Sequence, residues 1–376
     1  MNRDVTPISA EERRDRLRLI RSENVGPVTF FQLLSRFGSA TEALAALPEL
    51  ARRGGRARPI NICPAAAATR EIEALGKIGA RLIAWGEEDY PEMLAVLDDA
   101  PPTLSVRGNG HLLGRRTVAI VGARNASANG RRMAETLAAD IGSHGIVVAS
   151  GMARGIDAMA HAGALESGTV AIMAGGVDVV YPAENAALYE EIVERGVVIS
   201  EHPPGLTPKA RHFPYRNRLI SGLSLGVVVI EATFKSGSLI TARFAGDQGR
   251  EVMAVPGSPL DPRAKGSNQL IRDGAALVQT AEDVLEAISG AFRPGAGEGP
   301  ESAFAPTPTP VQPSDSELSA ARADITEKLG PDPVTVDEII RQCQLSPAVV
   351  STVLLEMELA GRLERHPGNQ VALHYD

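Results

Sequence analysis

Six short runs of Val, Ile and Ala recur between residues 117 and 255: TVAIVG, IVVAS, TVAIM, VVIS, GVVVI and EVMAV. None of them alternates apolar with polar residues. A strand that is apolar at every position must be covered on both faces, which a parallel sheet flanked by helices provides. The segments between the runs supply those helices, for example SANGRRMAETLAADIGSHG and AENAALYEEIVERG. The pattern specifies a doubly wound, Rossmann-like α/β domain, assigned to residues 89–292. Such folds bind ligands beyond the carboxyl ends of their strands, so the loops after each run are where function is expected.

The flanks read differently. Residues 1–88 are expected to be helical, with Phe30, Phe31, Leu33, Leu34 and Phe37 at helical spacing between Gly26-Pro27 and Gly38. Two helices joined by a glycine-bearing turn resemble a helix-hairpin-helix or SAM-like domain; a plain helical packing module is the equal alternative. The basic loop ARRGGRARP (51–59) is read as solvated, with a brush against phosphates as the other option. Residues 293–313 carry Pro, Gly, Ala and Thr without periodicity and are expected to be a flexible linker. Residues 314–376, with two short amphipathic helices and a Pro-Gly-Asn hairpin, resemble a winged helix.

The charged N-terminus lacks an apolar signal stretch, and no apolar run reaches membrane-spanning length. Two widely separated cysteines, Cys63 and Cys343, form neither a disulfide framework nor a metal-ligand pattern. A cytoplasmic protein is expected. The chain is acidic, with 38 Lys+Arg against 46 Asp+Glu, but the charge is segregated. Residues 314–376 hold 11 acidic and 5 basic residues, and the segment 347–360 has Glu356 and Glu358 without a cation. A helix meant for a DNA groove has to offset phosphate charge, so the tail reads as a protein-contact or structural module.

The opposite holds at RHFPYRNRLISG (211–222). No acidic residue lies between Glu201 and Glu231, while Lys209, Arg211, Arg216 and Arg218 surround Phe213 and Tyr215. Cations for phosphates beside rings for bases suit a single strand, whose bases are free to stack. The competing reading is a structural loop whose arginines pair with Glu201, Glu231 or Asp178. Other strand-end loops add Gly122 and Arg124 after the first run, Arg154 after the second, and Ser236-Gly237-Ser238 at the start of a helix. The last is either an anion nest or a plain helix cap. Catalytic signatures are missing: there is no G-x-x-x-x-G-K-[ST], H-E-x-x-H or G-x-S-x-G. Asp157 and His161 share a helix face but have no third ligand, and a buried histidine bonded to its neighbour is the ordinary alternative.

Taken in order, VAIVGARNASANG, SGMARGID, GGVDVVYP, ISEHPPG, HFPYRNRLISGLS, EATFKSGSLITA, GREVMAVPG and KGSNQLIRDGA resemble the DNA-processing protein A family (DprA, also called Smf) over residues 90 to 290. The resemblance implies a cytoplasmic, homodimeric, non-enzymatic protein without a cofactor. It would bind and protect incoming single-stranded DNA in natural transformation and load the RecA recombinase. Its DNA-binding residues here would be Gly122, Arg124, Arg154, Lys209, Arg211, Phe213, Arg216, Asn217, Arg218, Ser236, Gly237 and Ser238. Ala123 replaces a serine common in the first motif, and Arg154 stands where lysine is frequent. The alternatives are a nucleotide phosphoribohydrolase-like enzyme, a nucleotide-sensing module of the same fold, and a scaffold that uses the basic segment for protein contacts. Against hydrolysis, no acidic residue falls between Glu231 and Asp247.

Overall fold

The computed structural model describes residues 8–290, 315–366 and 368–374. The linker expected at 293–313 lies outside the described residues. Contacts divide the described chain into two units, one built on residues 70–290 and one joining 8–69 to 315–374.

The first unit is a nine-stranded sheet: β1 (Ala80–Ala84), β2 (Thr103–Gly108), β3 (Thr117–Gly122), β4 (Val147–Ser150), β5 (Thr169–Ile172), β6 (Val197–Ser200), β7 (Gly226–Ile230), β8 (Glu251–Ala254) and β9 (Ala276–Leu277). The order is β1-β2-β6-β5-β4-β3-β7-β8-β9. From β6 to β9 all neighbours are parallel, with registers such as Ile120 opposite Val228. The six apolar runs are the six strands β3 to β8. Successive residues enter opposite cores: Val118 and Ile120 pack on one side of the sheet, Ala119 and Val121 on the other. Strand order reverses between β3 and β7, which makes the crevice beyond Gly122 and Ile230 the topological switch point.

Two strands of this sheet differ from expectation. β1 falls within the stretch to residue 88 read as helical, and it pairs antiparallel with β2, which pairs antiparallel with β6. A five-residue apolar run is compatible with either a strand or a helical turn, and periodicity alone does not separate them.

In the second unit, helices Ala10–Ile20, Pro27–Phe37 and Ala40–Arg53 form the N-terminal helical domain. Pro27 occupies the first helical position, and Gly38 ends that helix at φ 79°, a left-handed cap. The C-terminal part is a winged helix: helices Asp315–Lys328, Val336–Cys343 and Pro347–Leu359, with β10 (Val334–Thr335), β11 (Leu363–His366) and β12 (Gln370–Leu373) in the order β10-β12-β11. Helix 347–359 is the one that would enter a DNA groove. Here Leu355 and Leu359 complete the core formed by Leu19, Phe30, Leu33 and Leu47. The Asn24 side-chain amide donates to the Leu359 carbonyl at 3.2 Å. The Glu356 carboxylate is fully buried and paired with Arg322. The helix is committed to holding the two ends of the chain together.

Candidate nucleic-acid interface

The segment 211–222 is itself a helix, His212–Gly222, lying between β6 and β7 in sequence. Its two faces do different things. Arg216 and Arg218 point inward. Arg216 is 4 % exposed and donates from Nη1 to the Gly151 carbonyl at 2.7 Å and to the Ile172 carbonyl, tying together the ends of β4 and β5. Gly151 is needed for this: a Cβ there would meet the guanidinium at 2.7 Å. Burial depresses the Arg216 pKa to about 10, with nearby Asp157 working against that and Arg124 adding to it. Arg218 is 1 % exposed. It binds Glu201 at 2.5 Å, donates to the Asp99 carbonyl at 2.8 Å and lies 4.3 Å from the Tyr215 ring centroid. Burial pushes its pKa down, but Glu201, Tyr215 and Asp99 raise it by more.

These two arginines correct the expectation that they grip phosphates. Both are enclosed and bonded, and the alternative, an arginine paired with Glu201, is what Arg218 does. Asn217 is a connector too: it accepts from Arg216 Nε at 3.3 Å and donates to the Gly237 carbonyl at 3.3 Å. Gly122 is required by the neighbouring strand, since a Cβ would sit 1.9 Å from the Ile230 carbonyl oxygen. Ser236 caps the helix Gly237–Asp247, and its hydroxyl lies 2.7 Å from that of the buried Ser238.

The loop after β4 is held from beneath. The buried Asp157 carboxylate accepts from the Gly151 and Ala153 amides at 3.2 and 3.3 Å. Burial raises its pKa, while Arg216 and these amides oppose the rise. Met152 in this loop has φ 59°, a left-handed conformation that a non-glycine residue adopts only when its surroundings impose it. His161 lies 2.7 Å from Thr169 Oγ1 through Nδ1, and burial depresses its pKa to about 3. It is a neutral core histidine. Among the described residues no group of three His, Cys, Asp or Glu is placed to hold a metal.

The outer face is what remains for a ligand. Phe213 lines a shallow open depression with Gly151, Met173, Gly175, Tyr181 and Pro208. The Arg124 guanidinium lies 5.4 Å from the Phe213 centroid, and the Tyr181 ring 5.5 Å from it, so the three planar groups form one platform. Tyr181 is half exposed. It was not among the residues the sequence singled out, and Asp178 in the same loop accepts from the Gly205 amide at 2.8 Å. Arg124, Lys209 and Arg211 are exposed around the platform. Arg154 is exposed as well and pairs with the exposed Glu184 at 2.7 Å, a contact weak enough for a phosphate to displace.

The arrangement is a doubly wound α/β domain with a cationic, aromatic platform at its strand ends. The chain belongs to the DNA recombination-mediator protein A family, whose sequence profile matches residues 81–289. Profiles of a DprA-like N-terminal HHH domain and a DprA winged helix domain match residues 10–74 and 306–369. Over 222 residues the chain is 42 % identical to the DNA processing protein DprA of Bacillus subtilis, covering 58 % of this chain and 75 % of that one. It is 36 % identical over 295 residues to protein Smf of Escherichia coli, covering 78 % and 77 %. The X-ray structure of DNA processing protein A from Streptococcus pneumoniae aligns with TM-score 0.60 at 34 % identity, over 72 % of this chain and 95 % of that one. The Helicobacter pylori protein, whose structure is described as revealing a single-stranded DNA binding mode, aligns with TM-score 0.52 at 28 % identity, over 56 % and 95 %.

Proposed function

We propose that this protein binds single-stranded DNA at the strand-end platform, protects it during natural transformation and delivers it to the RecA recombinase. The observation that carries the reading is the Arg124–Phe213–Tyr181 platform, with Arg124 and Tyr181 exposed, Phe213 half-buried, and the exposed Arg154, Lys209 and Arg211 on loops at the same strand ends. Phosphates meet the cations, and bases stack on Phe213 and Tyr181 without any sequence being read. The relationship to the Helicobacter pylori protein supports the choice of ligand. The protein acts as a cytoplasmic homodimer through its α/β domain and turns over no substrate. Hydrolysis is disfavoured because no acidic residue lies between Glu231 and Asp247, and Glu231 itself accepts from both the Ser127 amide and hydroxyl. No helix among the described residues is long and apolar enough to cross a membrane.

The test is fluorescence anisotropy with labelled oligo(dT) at two salt concentrations, for wild type and for Arg124→Ala with Lys209→Ala. Tight, salt-weakened binding that the variant loses supports the reading. A folded wild type that ignores the oligonucleotide, or binds it independently of salt, overturns it. A second assay asks whether the protein speeds RecA filament formation on the same strand; no acceleration removes the loading role alone.

A further inference from the structure

We infer that the single-strand path extends across the switch point to a second stacking residue, Phe234, in the loop after β7. The inference rests on the strand-end platform being a DNA site. Phe234 is 63 % exposed, so its ring face is open to a base. All the strands from β3 to β9 are parallel, so the loops after β7 and β8 emerge on the same sheet edge as those carrying Arg124, Arg154 and Tyr181. The two regions are physically joined. Asn217, one helical turn from Phe213, donates to the Gly237 carbonyl, and Gly237 is three residues from Phe234. From the helix rise and the reach of three residues, the Phe213 and Phe234 backbones lie no more than about 25 Å apart. A strand of several nucleotides spans that distance, within the roughly 4–16 nucleotides that single-strand sites occupy.

The surroundings suit a polyanion. The exposed Lys235 adjoins Phe234. The loop after β8 packs directly against the β7 loop, with the Gly266 amide donating to the Ala232 carbonyl at 2.6 Å, and brings the exposed Lys265. The nearby acids are engaged: Asp261 pairs with Arg263 at 2.9 Å, and Glu231 is held by Ser127. That loop also exposes Leu260 almost completely, an apolar surface for a base or sugar beside the ring. A ring flanked by cations at the edge where the first ring lies is the arrangement of a continued stacking track.

The experiment places a reporter on the ring: Phe234→Trp, with Trp85→Phe removing the protein's one native tryptophan. Being exposed, residue 234 tolerates the change. Indole fluorescence is followed during titration with (dT)5 and (dT)20, and anisotropy is read for Phe234→Ala and Phe213→Ala with both lengths. Expected are indole quenching by (dT)20 and about tenfold weaker (dT)20 binding by Phe234→Ala, the loss of one stacked base. Phe213→Ala weakens binding of both lengths. If (dT)20 binds with full affinity to Phe234→Ala and leaves the indole unquenched, the extended track is wrong while the platform stands. If wild type binds neither length, the platform reading itself fails. Quenching that appears with protein concentration and without DNA assigns Phe234 to a contact between copies and likewise overturns the track.

Discussion

Replacing Arg218 with alanine tests whether the basic helix is built to bind or built to hold. The guanidinium is 1 % exposed and the Glu201 side chain 10 % exposed, so the pair is buried and scarcely screened. Removing the cation strands a carboxylate in the interior and also strips Asp99 and Tyr215 of their contacts. Breaking a buried pair by removing one partner costs about 3–5 kcal/mol. For a domain of roughly 200 residues, each kcal/mol moves Tm by about 2–4 °C, so the melting temperature should fall by about 6–20 °C. Differential scanning calorimetry and urea titration measure this directly. Arg218→Ala with Glu201→Gln should recover a substantial part of the loss, because no uncompensated charge is left behind. The reasoning is refuted if Arg218→Ala melts within 1 °C of wild type and loses only its salt-sensitive oligonucleotide binding, for then the arginine faces the ligand.

Three further outcomes are expected. Phe213→Ala should retain its stability within about 0.5 kcal/mol and weaken oligo(dT) binding by about tenfold, since one stacked base contributes about 1–3 kcal/mol; paired calorimetry and anisotropy check both halves. The His161 pKa is depressed in the folded state to about 3. The unfolded chain therefore takes up a proton near pH 6.5 that the folded chain refuses, and stability falls as pH drops from 6.5 toward 3. His161→Gln should flatten this acid limb by about 3 kcal/mol between pH 7.5 and 4.5, read from urea midpoints at the two pH values. Gly54→Ala should open the join between the chain ends, because its Cβ would lie 1.8 Å from the Glu356 carbonyl oxygen. Hydrogen exchange should then quicken together in residues 10–53 and 347–359 while the sheet keeps its protection.

The parallel strands were legible because burial on both faces leaves a continuous apolar signature, and the loops of interest follow from where such strands end. The antiparallel pair β1–β2 was not legible, since each is short and carries no periodicity that separates strand from helix. Of the candidate site, Arg124, Lys209 and Arg211 are exposed, and Phe213 lies against Arg124 and Tyr181. The sequence 211–222 shows how many cations it has but not which way they face. On a helix, Arg216 and Arg218 are two residues apart and both rotate inward, one to main-chain carbonyls and one to Glu201. Those acceptors come from residues between 17 and 65 positions away, beyond what local pattern can reveal. Tyr181 was missed for a similar reason: its partner Phe213 is distant in sequence and adjacent only in the fold.

The bond from Asn24 to the Leu359 carbonyl joins residues 335 positions apart. In topological terms the sheet domain is an insertion within a discontinuous domain whose two halves are the beginning and the end of the chain. The ribosome releases the first half long before the second exists, so Leu19, Phe30 and Leu33 await Leu355 and Leu359 throughout synthesis. Closing a loop that long from a disordered chain would cost about 5 kcal/mol. A sheet domain that folds first shortens the effective loop and makes late closure cheap. Deletion from either terminus therefore removes part of the same core, and truncation at one end should unfold residues at the other.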